Sequence, residues 1–350
     1  MLSPQALEQF CKAEKIPAFR VKQILEAIYE KGVQSYDEIS TLPKDLRKTL
    51  SEKFPISTVT PSAHEISADG STEKVLFKLR DEGVVESVLM HFKDGRKTVC
   101  VSSEVGCPLK CTFCASGTLL FKRSLQAEEI ADQVIYFGRA LKRKGERLNH
   151  VVYMGIGEPF RNYDNLIKSL KILMDDKFLG LGARKITVST AGIADKIRTF
   201  ADEPFQVNLA LSLHAPTQEL RAKIMPISRR FTLDEVMESV KYYLKKTNRR
   251  ISFEYVMLNG INDTEECAHQ LVKLIREKLG PLKKLTHVNM IPYNATDIAE
   301  IKGSTKEQMR KFRAILEKAN IPATIRVSLG QDIAAACGQL ANKVEKKEKV

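Results

Sequence analysis

The chain has 350 residues, of which 43% are hydrophobic and 28% charged. This excludes a disordered or fibrous protein and allows a core that hides roughly three quarters of the unfolded surface. Its net charge of +13 points to an anionic partner, nucleic acid before an anionic membrane surface, with a merely solvated basic surface as the alternative. No apolar run reaches membrane-spanning length and "MLSPQALEQF" lacks the pattern of a signal peptide, so a cytoplasmic protein is expected.

In chain order, residues 1–60 read as a small helical accessory domain. Phe19, Ile24, Leu25, Ile28 and Tyr29 fall at helical spacing, and Pro17, Pro43 and Pro55 punctuate the pieces. From about 64 to 102 the period turns strand-like in "EKVLFKLR", "VVESVLMHF" and "KTVCVSS", so residues 61–97 are expected to form a β-hairpin extension. Strands and helices then alternate. "HVVYMGIG", "KITVST", "QVNLALSLHA", "ISFEYVML" and "HVNMIPYN" read as buried parallel strands, separated by helical patterns such as "AEEIADQVIYFGRALKR" and "LDEVMESVKYYLKK". About six βα units predict an α/β fold with a full or partial barrel over 98–342, with function on the loops after the strands. Residues 343–350 read as a basic tail. The positive excess lies in residues 101–200, with 16 Lys and Arg against 10 Asp and Glu, and in 301–350, with 11 against 5.

Cys107, Cys111 and Cys114 form C-x3-C-x2-C directly after a predicted strand. In a reducing compartment such a cluster is metal-binding or catalytic before it is a disulfide framework. Three thiolates on a short loop can hold three irons of a [4Fe-4S] cube and leave the fourth open; a zinc site is the alternative, although no partner pair of ligands is evident. Three cysteines at this spacing after the first strand of a βα barrel resemble the radical S-adenosylmethionine superfamily, in which the open iron chelates the cofactor's methionine part. Electron transfer then releases a 5′-deoxyadenosyl radical.

The other strand ends suit such a ligand. In "GIGEP" the glycines let backbone approach, and Glu158 offers a carboxylate to an amino group. Ser189, Ser212, His214 and Asn294 end separate strands, where polar groups can converge. Each alone reads equally as a satisfied structural residue; the set at equivalent positions is the signal. Cys100 lies on the strand before the cluster and is poorly placed as a ligand. Cys337, in "GQDIAAACGQLANK", is expected at a helix end or tight turn, and Cys11 and Cys267 read as packing residues.

Together "CVSSEVGCPLKCTFC", "MGIGEP", "ITVSTAGI", "LSLHAP", "EYVMLNGIND", "VNMIPYN" and "DIAAACGQL" resemble the RlmN/Cfr family of radical SAM RNA methyltransferases, over roughly residues 15–342. The resemblance implies a partial (β/α)6 barrel and a ping-pong methyl transfer onto an adenine carbon, using two S-adenosylmethionine molecules per turnover and a [4Fe-4S] cluster on Cys107, Cys111 and Cys114. It makes Cys337 the methyl carrier, through S-methylcysteine. Cys100 becomes the resolving thiol that leaves a disulfide to be reduced, and Glu86 the proton acceptor. Gly157, Glu158, Ser189, Ser212, Leu213, His214 and Asn294 map onto cofactor contacts. The implied substrate is 23S ribosomal RNA at the peptidyl-transferase centre and, for the carbon 2 branch, the adenosine 3′ to the anticodon in tRNA. A low-potential electron donor such as flavodoxin or ferredoxin is implied, and a monomer is expected.

Pro159 after the Gly-Glu pair matches the carbon 2 branch, whereas Cfr, the carbon 8 branch, carries alanine there. The chain departs from the family pattern at Val327, Ser328 and Leu329, where basic residues are expected, at Ala334, where Asp is expected, and at Ile156 within Gly-Ile-Gly. Three readings compete with a carbon 2 methyltransferase: a carbon 8 enzyme, a radical SAM enzyme on a non-RNA substrate, and a zinc- or cluster-stabilised RNA-binding protein.

Overall fold

The computed structural model describes residues 4–33, 35–176, 178–296 and 301–340; the expected basic tail at 343–350 lies outside them. The N-terminal unit comprises α1 (Pro4–Ala13), α2 (Phe19–Leu25), which continues as a π-helical turn at Glu26–Glu30, and α3 (Lys44–Lys53). It buries its own cluster, including Cys11, Val21, Ile24, Ile28, Tyr36 and Leu50. Phe19 departs from the expected apolar stripe and is 61% exposed. Five residues before Ile24, it points about 140° away on a helix of 3.6 residues per turn, and the Arg20 guanidinium covers its ring at 4.9 Å. The unit is tied to the barrel where the Thr58 N–H and hydroxyl donate to Asp132 Oδ2 at 2.7 and 2.8 Å.

Ten strands form one sheet. β1 (Val59–Ile66), β2 (Thr72–Leu79) and β3 (Val84–His91) run antiparallel, so the expected hairpin is a three-strand meander that begins before residue 61. β3 pairs antiparallel with β4 (Lys97–Cys100), setting Val88 opposite Cys100. A small ribbon, β5 (Glu104–Val105) with β6 (Arg123–Ser124), interrupts the path to α4 (Ala127–Arg143).

From β4 the sheet continues in parallel through β7 (His150–Tyr153), β8 (Ile186–Thr190), β9 (Asn208–Ser212), β10 (Ile251–Met257) and β11 (Thr286–Pro292). The sequence reading missed β12 (Ala323–Ile325), a seventh parallel strand beside β11 that is only three residues long. Because β1 and β12 remain at opposite ends of the strand order, the barrel is partial. The helices α5 (Tyr163–Met174), α6 (Ala194–Ala201), α7 (Gln218–Ile224), α8 (Leu233–Thr247), α9 (Glu265–Leu279) and α10 (Lys306–Lys318) connect the strands. Their starts are written locally. Thr232 with Glu235 and Thr305 with Gln308 form capping boxes, and Thr264 caps α9; each satisfies N–H groups that a helix start leaves open. The core lies between strands and helices, with Val151, Val188, Leu211, Phe253 and Val288 all fully buried. Cys267 belongs to this core.

Candidate active site

The cysteine motif occupies the loop that the β5–β6 ribbon closes, with Glu104 paired to Ser124 and Val105 to Arg123. Thr112 N–H donates to Ile224 O at 3.0 Å, tethering the loop to the end of α7, and Cys114 N–H donates to Cys111 O at 3.2 Å. The three thiols line a cavity of about 170 Å³ at the mouth of the barrel. Burial, reinforced by the neighbouring thiols, holds Cys111 far above the usual range and pushes Cys107 up to about 12. A trio that so resists ionisation is relieved by a positive centre. Among the described residues no three His, Cys, Asp or Glu side chains converge on one ion; a cube needs one thiolate per iron instead.

Gly157, Glu158, Ser189, Ser212, His214 and Asn294 line the same cavity. Leu213 does not: its side chain is fully buried in the core, because alternation along the strand end turns it away from Ser212 and His214. Gly157 has φ +102°, and a Cβ there would lie 2.6 Å from Glu104 Cβ, so the turn requires glycine. Glu158 accepts from Phe160 N–H at 3.1 Å and Ala191 N–H at 2.7 Å, yet burial still lifts its carboxyl to about 7. Ser189 and Ser212 hydroxyls sit 3.3 Å apart.

His214 Nδ1 accepts the Val256 N–H at 3.0 Å, leaving the ring proton on Nε2. Burial, with the Arg221 charge second, pushes this histidine down to about 3. Unfolded, it takes a proton near its ordinary 6.5. The stability of the neutral ring is therefore complete above pH 6.5 and is lost as pH falls towards 3, to a total of roughly 5 kcal/mol. Asparagine tolerates the φ of +59° at this position and keeps an acceptor. His214→Asn should move the acid-unfolding midpoint, followed by circular dichroism, to lower pH; an unchanged midpoint refutes this titration.

A second cavity shares a wall with the first. Cys100 and Cys337 both line it, and Cys337 lines both cavities. Cys100 ends β4 as expected; Cys337 lies in a turn beside Gly338, whose φ is +83°. That turn is docked by Ala115 N–H donating to Gly338 O at 2.7 Å and by Asn294 Nδ2 donating to Cys337 O at 3.1 Å. Burial, and next the Cys337 sulfur, push Cys100 up to about 12. All seven cysteines are free thiols: Cys100 and Cys337 share the cavity without a bond, so the structure holds the reduced pair and no disulfide.

Glu86 is buried on β3, on the face that carries Val88 and Met90, but it lines neither cavity. Its Oε1 lies 3.8 Å from Lys74 Nζ. Sequence reasoning missed four charged residues here. Arg326 lines both cavities, and Cys337, Glu254 and Cys100 around it keep its guanidinium charged. Glu254, buried on β10, accepts from Ser252 Oγ at 2.6 Å and Asn289 Nδ2 at 2.7 Å; a carboxylate inside the apolar run "ISFEYVML" was the available signal. Glu104 accepts from Glu158 N–H at 2.9 Å. Arg221, wholly buried, donates to Leu213 O, Ser228 Oγ, Ala191 O and Ser212 O, and nothing in its local sequence announces this.

Two family models match the chain: the Radical SAM superfamily over residues 101–275, and the Ribosomal RNA large subunit methyltransferase N-terminal domain over residues 1–56. The probable dual-specificity RNA methyltransferase RlmN of Enterococcus faecalis is 47% identical over 335 residues, which cover 95% of this chain and 92% of that protein. The corresponding protein of Lysinibacillus sphaericus is 46% identical, covering 96% and 87%. The crystal structure of a radical SAM methyltransferase from Sphaerobacter thermophilus matches with a TM-score of 0.91 at 41% identity, over 97% of both chains. The chain belongs to the RlmN family of radical SAM RNA methyltransferases.

Membership in the RlmN family implies a [4Fe-4S] cluster and S-adenosylmethionine. The residues present fit both: three thiols clustered on one loop line a cavity that also holds the Glu158 carboxylate, the Ser189 and Ser212 hydroxyls and the neutral His214 imidazole. Three of the departures from the RlmN pattern lie at the second cavity. Val327, Ser328 and Leu329 line it, with Val327 71% exposed. Ala334 has a left-handed φ of 50°, a conformation that Asp tolerates better than Ala, so the aspartate expected there suits the backbone better than the residue present. Ile156 is buried against Cys100 and Val88.

Proposed function

We propose that this chain methylates carbon 2 of an adenosine in 23S ribosomal RNA, and of the adenosine 3′ to the anticodon in tRNA, through S-methylcysteine at Cys337. The observation that carries the reading is that Cys337 lines both the cavity beside the three-cysteine loop and the second cavity, which Cys100 also lines. A group carried on that sulfur is within reach of both compartments without a large movement of chain.

Cys107, Cys111 and Cys114 hold the cluster, while Glu158, Ser189, Ser212, His214 and Asn294 hold S-adenosylmethionine. When bound, these groups supply a methyl group for a sulfur and, from a second cofactor molecule, a carbon-centred radical. The remaining work falls to side chains. Cys337 accepts the methyl group and presents it to the base, Glu86 accepts the proton lost from the ring carbon, and Cys100 attacks the Cys337 sulfur to free the methylated base, after which reduction restores both thiols. Cys100 is a protonated thiol at neutral pH, and Arg326 is the nearby cation that favours its thiolate. The target base must leave its stack, at a cost of a few kcal/mol. Phosphate contacts from the basic excess of residues 101–200 and 301–350 offset this and weaken with salt.

The reading places the chain in the cytoplasm as a monomer served by a low-potential electron donor; among the described residues no helix is long and apolar enough to cross a membrane. Pro159 and the dual-specificity names of the relatives favour carbon 2. Mass spectrometry of ribosomal and transfer RNA from a methylation-null host expressing the chain is expected to find 2-methyladenosine. Finding 8-methyladenosine instead, or neither with the cluster intact, overturns the reading.

A further inference from the structure

The segment that carries Cys337 is fastened on two sides. On the cluster side it is held by Ala115, Ser116 and Asn294, which donate to Gly338 O, Leu340 O and Cys337 O. On the other side it lies against β2. Gly330, at φ +68°, passes so close that a Cβ would meet Thr72 Cγ2 at 2.7 Å. Asp332 Oδ2 accepts the Ala68 N–H at 2.8 Å. Lys74 Nζ donates to Ile333 O at 2.7 Å, four residues before Cys337. The same ammonium pairs with Glu65 Oε2 at 2.7 Å and lies 3.8 Å from Glu86 Oε1, with its side chain only 6% exposed.

A buried ammonium is retained at a desolvation cost, and it holds its partners in fixed geometry when it is fully engaged. Lys74 engages one carbonyl of the Cys337 segment and two carboxylates of the meander. We propose that Lys74 is a positioning residue that latches the Cys337 turn onto the β1–β3 meander and fixes it relative to Glu86. This rests on the reading of Cys337 as methyl carrier. Lys74 touches no reacting atom; it sets where the sulfur stands with respect to both cavities, and a displacement of about 1 Å at such a point costs on the order of a hundredfold in rate.

The test uses the full chain with Lys74→Met and Lys74→Arg, following both RNA methylation kinetics and hydrogen–deuterium exchange of residues 330–340. Lys74→Met is expected to raise exchange in that segment and to lower kcat at least about tenfold with an unchanged KM for RNA. Lys74→Arg is expected to restore most of both. Unchanged exchange in residues 330–340 of folded Lys74→Met overturns the latch, as does a loss that arginine fails to rescue. Should Lys74→Met fail to fold, Asp332→Ala removes the neighbouring tie from an exposed side chain; faster exchange in the same residues supports the latch, and none refutes it. If the parent protein does not methylate RNA, the proposed function fails while the exchange measurement still decides the latch.

Discussion

Replacing Cys337 with alanine is expected to abolish methyl transfer to RNA, with a loss of at least about a thousandfold, while iron and sulfide content stay at the level of the parent protein. The expectation follows from where the sulfur stands. It is part of the wall between two cavities, and no other thiol lines both except Cys114, which belongs to the cluster loop. Alanine fills the turn without a nucleophile, and the hydrogen bonds that dock the segment use backbone atoms of Cys337 and Gly338, so the loop keeps its place. Intact-protein mass spectrometry reads the carrier step directly: the parent gains one methyl group after exposure to S-adenosylmethionine and the variant gains none. Methylated RNA from the alanine protein would show that the methyl group reaches the base by another route.

Arg221→Met is the substitution with the largest expected effect on stability. The guanidinium is wholly buried and ties the ends of β8 and β9 to α7 through Ala191 O at 2.6 Å, Ser212 O and Leu213 O at 3.1 Å, and Ser228 Oγ at 2.7 Å. Burial lowers it only to about 10, so it is charged at neutral pH. Methionine fills similar space but strands these acceptors. Each unsatisfied buried group costs about 1 to 3 kcal/mol, without full additivity. A net loss of at least about 3 kcal/mol is expected, equivalent to roughly 4 °C in Tm for a chain of this size. Arg221→Lys keeps the charge but not the fork and should recover only part of the loss. A Met variant that melts within a degree of the parent would contradict the assignment of these strand ends to Arg221. Because Ser212 and His214 flank one of the carbonyls it holds, weaker S-adenosylmethionine binding should accompany the lower Tm.

The cluster motif was legible because its chemistry lies in short spacings: three thiols within eight residues after a strand need no tertiary contact to be read. The parallel strands were legible as unbroken apolar runs, and the helices through their amphipathic stripes and threonine caps. The Leu213 side chain lies in the core and not in the cavity, because motif position does not say which way a side chain points at a strand end. Phe19 failed as a core residue because an apolar side chain at a helix start lies off the stripe that the later positions define. β12 and the start of β1 were missed because three residues carry little periodicity, and because "VTPSAHEI" alternates without an apolar face.

Buried charge divides what was readable from what was not. Arg221, Arg326 and Lys74 look in sequence like the charged residues that cover any protein surface, and their partners lie as much as 259 residues away. Local sequence therefore determined the fold class and singled out the three-cysteine loop, Cys100 and Cys337 as candidates for the chemistry, since those depend on residue type and on spacings of a few residues. Only the tertiary structure decided that Cys100 and Cys337 share one cavity, that Cys337 also borders the other, and that Lys74 bridges the Cys337 turn to the meander. Each of these depends on chain segments brought together by packing, which no local pattern encodes.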